Sequence, residues 1–175
     1  MCYYRNTNTI KSSLAGISVQ RRYIGTGEDA AKRTMSIMSD TVRKSSEDYY
    51  VRRCAELFSP GKQSTLENLW NYLVSRIKYV KDIDGLETLQ NPKLVLERID
   101  TGETPALDCD CMTVLILSLA RSLGFKTAIR SVDDLHVYGL VLSGGKWVSV
   151  DLTKPEKGLG WEYSGAKIIV RTLLI

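Results

Sequence analysis

The sequence predicts an α+β domain in which helices come first and an antiparallel β-sheet packs on a cysteine-bearing helix. Three observations carry that expectation. Residues Leu107 to Phe125, LDCDCMTVLILSLARSLGF, read as a helix apolar nearly all round, which belongs at the centre of a domain. Upstream of it, apolar residues recur at helical spacing. Downstream, beyond Gly124, the period changes to two.

Taken in order, residues 1–16 are polar and patternless and read as an arm, which orders only against a neighbour. Ile17 to Ile24 alternates like a short strand, and Gly25 and Gly27 break it. The expected organisation is therefore an arm and strand over residues 1–24 and one domain over residues 25–175. Glu28 to Lys44 has Ala31, Met35, Met38 and Val42 on one helical face, and a second helix runs from Glu47 to Phe58 before Ser59-Pro60-Gly61. Cys54 falls on its apolar face as a small core residue.

Ser64 to Val80 reads as an amphipathic helix. Ser64 and Glu67 have capping-box spacing, and Leu66, Leu69, Trp70, Leu73, Ile77 and Val80 form the buried stripe. After the loop KDIDGLETLQ, Pro92 opens a short helix through Ile99, and the loop DTGETPAL leads into the central helix. Asp108 is its expected cap and Gly124 its expected left-handed terminus. Strands are expected at Lys126–Val132, His136–Leu142, Lys146–Leu152 and residues 167–174, with Gly144-Gly145 as a hairpin turn.

Composition narrows the function classes. No apolar run approaches the length of a bilayer span, and residues 1–13 lack the apolar core of a signal peptide. A cytoplasmic location is expected, with no membrane partner. The net charge is +4, and the whole surplus falls in residues 1–60, with ten Lys/Arg against six Asp/Glu. Without an aromatic-interleaved basic patch, solvated helix faces account for it better than nucleic acid does. Cys2, Cys54, Cys109 and Cys111 do not form a secreted disulfide framework. With His136 the only histidine, no metal site and no cofactor are expected.

The chemistry lies in the order of three residue types. Cys109 or Cys111 opens the central helix, where orphan N–H groups and the helix dipole favour a thiolate. His136 opens one strand and Asp151 ends the next. A thiol needs a base, and the base needs an acceptor on its other ring nitrogen. A hairpin brings that histidine and aspartate side by side. Trp147 and Trp161 read as core or cleft-wall residues.

The run DCDCMTVLILSLARSLGFKT, with HVYGLV and GGKWVSVDLT after it, resembles the transglutaminase-like superfamily with its papain-like fold. It is most similar to a bacteriophage and bacterial branch described as transglutaminase-like cysteine proteases. That branch shows similar segments to Ile77-Lys78-Tyr79-Val80-Lys81-Asp82, Leu89-Gln90-Asn91-Pro92 and Leu159-Gly160-Trp161, so the resemblance covers roughly residues 28 to 165. The family's G-D-C-D-D pattern falls on Leu107-Asp108-Cys109-Asp110-Cys111, with Leu107 in place of the glycine and Cys111 in place of the second aspartate. The resemblance thus implies Cys109 as nucleophile, His136 as base and Asp151 as orienter. Gln90 is a candidate oxyanion donor beside the Cys109 N–H.

The implied activity is a cysteine peptidase or amidase working through a thioester. Hydrolysis is expected over crosslinking, because water is always available and no residue marks an amine site. The implied partner is a protein or peptide substrate. The alternative is a silent structural or adaptor protein of a phage virion, docked to phage structural proteins through its basic N-terminal region.

Overall fold

The computed structural model describes residues 27–58, 65–82, 88–133, 136–164 and 170–175. The arm, the strand expected at Ile17 to Ile24, the Ser59-Pro60-Gly61 break and the Ser64 cap lie outside them. Among the described residues the architecture is α+β: five α-helices, and a four-stranded antiparallel sheet packed on the cysteine-bearing helix. Among the described residues no helix is long and apolar enough to cross a membrane.

Helix α1 (Gly27–Glu47) buries Met35, Met38 and Val42 along the central helix α5 (Cys109–Ser122). Helix α2 (Tyr49–Glu56) follows at once, because Asp48 takes extended backbone and its carboxylate accepts from the N–H groups of Tyr50 and Val51. Cys54 is buried there in the core, as its apolar face predicts. Helix α4 (Pro92–Asp100) has Pro92 in its first turn and Asn91 as its cap.

Helix α3 (Thr65–Val74) is shorter than its apolar period predicts. Ile77 N–H still reaches Leu73 O at 3.1 Å, but the chain then leaves the helix. Lys78–Tyr79 forms β1, paired in parallel with β2 (Ala106–Leu107), and Lys78 N–H donates to Pro105 O and Val80 N–H to Leu107 O. Aromatic and β-branched residues at this point prefer an available strand partner, and that pairing overrides the helical period. Val80, expected on the buried stripe, is exposed. Leu107 shows why a side chain is tolerated where the family pattern has glycine, since it lies buried in the core.

In α5 the Asp108 carboxylate accepts the N–H of Cys111 at 2.9 Å, and Gly124 closes the far end at φ 85°. Every residue from Asp110 to Ala120 is buried. Strands β3 (Thr127–Val132), β4 (His136–Ser143), β5 (Lys146–Val150) and β6 (Val170–Leu174) lie in the order β5-β4-β3-β6. Strand β4 approaches α5 closely: a Cβ at Gly139 would meet Leu117 Cδ2 and Val150 Cγ2 at 2.7 Å. That glycine sets how near the histidine strand comes to the cysteine helix.

Candidate active site

The first turn of α5 meets the start of β4. Thr113 Oγ1 donates to Val137 O at 3.3 Å, one turn along from Cys109. The peptide carbonyl next to His136 is therefore tied to the cysteine helix. Cys109 is half-buried, and Cys111, two residues on, is only 2% exposed. About 200° of helical rotation separates the two thiols, so one faces the site and the other the interior.

His136 and Asp151 are joined: His136 Nε2 lies 2.8 Å from Asp151 Oδ2. The other carboxylate oxygen accepts from Thr153 N–H at 2.9 Å and from the Thr153 hydroxyl at 2.7 Å. Burial raises the Asp151 carboxyl, but the bonds from His136 and Thr153 outweigh it and hold the group below the ordinary carboxylate range. An ionised carboxylate only accepts, so Nε2 carries the ring hydrogen and Nδ1 keeps the lone pair.

The Cys109 thiol departs from the thiolate that its helix position predicts. Burial pushes it well above the ordinary thiol range, and the carboxylates of Asp110 and Asp108 add to the effect. Its hydrogen lies toward Asp110 Oδ1 at 3.4 Å. The N–H groups of the first turn oppose this influence, but desolvation and two nearby negative charges prevail. Both influences favour the protonated sulfur.

Gln90 lies beside the strand that enters α5, and its side chain is engaged on both ends. Its amide nitrogen donates to Ala106 O at 3.1 Å, and its amide oxygen accepts from Arg98 at 3.4 Å. An oxyanion role would fall to the single amide hydrogen that remains. The Gln90 backbone N–H donates to Cys111 Sγ at 3.1 Å, while that thiol donates to Thr88 O at 3.2 Å. Cys111 thus fastens the 88–90 segment to the helix.

Two tyrosines border the site that sequence reasoning did not single out. Tyr79 on β1 is half-exposed, and its hydroxyl is raised by burial first and then by the charges of Cys109 and Asp108. Tyr163 lies with its ring 5.2 Å from His136 and 4.5 Å from Trp161. Trp161 therefore belongs to the wall of the site, whereas Trp147 is largely exposed on β5. The aromatic run Trp161-Glu162-Tyr163 right after Leu159-Gly160 is the signal that could have identified this wall.

No family model matches the chain, and no curated protein matches it. Among solved structures, one from Cytophaga hutchinsonii, provisionally named a cysteine protease, is similar to it at 14% sequence identity and a TM-score of 0.45. The similarity covers 78% of this chain and 56% of that one, so the chain spans little more than half of that structure's length.

Proposed function

We propose that the protein is a transglutaminase-like cysteine hydrolase, a peptidase or amidase that forms a thioester with its substrate. The single observation that carries this reading is the His136–Asp151 pair, whose histidine opens a strand bonded to Thr113, one turn into the cysteine helix. In the proposed reaction Cys109 Sγ attacks a peptide or carboxamide carbonyl as its proton passes to His136 Nδ1. The Cys109 N–H, which has no acceptor within its own helix, faces the developing oxyanion. The carbon–nitrogen bond then breaks, and the imidazolium returns the proton to the departing amine. Water, deprotonated by His136, cleaves the thioester and releases the acid and the free thiol.

Asp151 fixes the histidine tautomer throughout and stabilises the transient imidazolium. A neutral resting thiol fits a route in which proton transfer accompanies attack. The substrate class is a protein or peptide. The placement in the phage and bacterial branch rests on the sequence segments quoted above.

The buried, protonated thiol favours a second reading, a silent structural or adaptor protein of a phage virion that retains the fold. Iodoacetamide labelling near neutral pH separates the two. In a working site His136 takes the proton as the sulfur attacks, so Cys109, despite its raised thiol, labels much faster than an ordinary thiol, loses the labelling in Cys109→Ala, and keeps most of it in Cys111→Ala. Labelling no faster than that of a simple thiol refutes the hydrolase and leaves the adaptor.

A further inference from the structure

We propose that Tyr163 is a positioning residue that, together with Tyr138, forms an aromatic bracket along one side of the imidazole of His136 and shields its Nε2–H···Asp151 bond from water. The inference rests on the hydrolase reading only for its kinetic consequence. The bracket itself is geometric. The Tyr138 ring stacks on the imidazole at 6.0 Å with 25° between planes, and the Tyr163 ring lies tilted across it at 5.2 Å. The two tyrosine rings also meet each other at 5.7 Å. Aromatic contacts of this spacing favour fixed orientations over free rotation.

The segment that carries Tyr163 is anchored at several points. Gly160 N–H donates to Ser149 O at 3.0 Å, and the Ser149 hydroxyl donates to Trp161 O. Arg130 on β3 makes a 2.6 Å ion pair with Glu162, the residue before Tyr163, and so braces this segment from the sheet. Trp161 supports the outer side of Tyr163, and Lys157 Nζ lies 5.8 Å from the Trp161 ring centroid. Tyr163 packs on the apolar patch of Ala128, Val132, Tyr138 and Leu140. Its hydroxyl is pushed up to about 12, by burial first and then by Asp151, so the ring stays neutral beside the carboxylate at working pH.

A base held only by one hydrogen bond rotates about its side-chain torsions. Two ring contacts along one side restrict that freedom. They also keep water from competing for Asp151, whose exposure is already low. The need is for a ring face rather than a hydroxyl, so Tyr163→Phe should serve as well as tyrosine.

Because His136 is the only histidine in the chain, 15N-histidine-labelled protein reports on this one ring. A slowly exchanging, downfield Nε2–H resonance is expected in the full chain and in Tyr163→Phe. In Tyr163→Ala it should broaden away through exchange with water, with the amide spectrum otherwise retained. Tyr163→Leu keeps apolar volume without a ring, and should lose the resonance too. Iodoacetamide labelling of Cys109 should slow about tenfold in the Ala and Leu variants, a fraction of what a general base contributes, and recover in Phe. A sharp Nε2–H signal in Tyr163→Ala, or its loss in Tyr163→Phe, overturns the proposal. If the signals behave as expected while Cys109 labels no faster than a simple thiol, the bracket stands and the hydrolase reading fails.

Discussion

Replacing Cys111 with aspartate introduces the residue found in the transglutaminase-like pattern that the sequence resembles, and the structure says that this chain will not accept it. The Cys111 thiol does two things at once, accepting from Gln90 N–H at 3.1 Å and donating to Thr88 O at 3.2 Å. An ionised carboxylate can do only the first. Its second oxygen would face a carbonyl at a site 2% exposed, close to the carboxylates of Asp108 and Asp110. A buried charge without a partner costs about 3 kcal/mol or more. Serine keeps both bonding roles and loses mainly volume, about 1 kcal/mol, whereas alanine leaves both backbone groups unpaired at about 2 kcal/mol. The expected stability order is therefore Cys, Ser, Ala, Asp. In urea, followed by tryptophan fluorescence, a 3 kcal/mol loss lowers the midpoint by about 1.5 M at a slope of about 2 kcal/mol/M. Should Cys111→Asp unfold at the same urea concentration as Cys111→Ser, the clamp has been misread. The variant is then too destabilised for its labelling to be compared fairly with the parent chain.

Asp110→Asn removes the largest charge acting on the Cys109 thiol, so the pH profile of iodoacetamide labelling should move to lower pH and the rate at pH 8 should rise several-fold. An unmoved profile would mean that burial alone sets the thiol. Asp151 supplies a pH test of stability. Its carboxyl is held below the ordinary range, so its contribution is complete above about pH 4, where the unfolded carboxyl titrates, and is lost as pH falls through the lower folded value. Asp151→Asn should be less stable at neutral pH and show a shallower acid limb in urea unfolding, and parallel limbs would contradict the assignment.

The parts of the fold that the sequence reveals are those in which one local signal has no competitor. Helix α5 is apolar on every face and carries its cap and its terminating glycine in the chain, so its ends follow from Asp108 and Gly124. The Gly144-Gly145 turn, with both φ positive, fixes the β4–β5 hairpin and with it the meeting of His136 and Asp151. Helix α3 is the opposite case. Ile77 and Val80 continue a helical period, yet Lys78–Tyr79 finds β2 about thirty residues away, and nothing local announces that pairing. The same long-range pairing places Tyr79 at the site, and the Arg130 brace to Glu162 sets Tyr163 beside the histidine.

The state of the thiol is illegible in the sequence for a related reason. The orphan N–H groups that favour a thiolate are visible in the sequence, as are Asp108 and Asp110 on either side of Cys109. The balance between them depends on burial, which only the fold supplies. In water those carboxylates would be screened and the helix terminus would count for more. At a half-buried position beneath β4, desolvation acts first and each neighbouring charge acts through less solvent, so the same two residues become decisive. In the proposed reaction a sulfur biased toward its neutral form loses its proton during attack rather than before it. That makes the orientation of His136 more consequential than the charge of Cys109, and places the control of the site in the residues that hold the imidazole still.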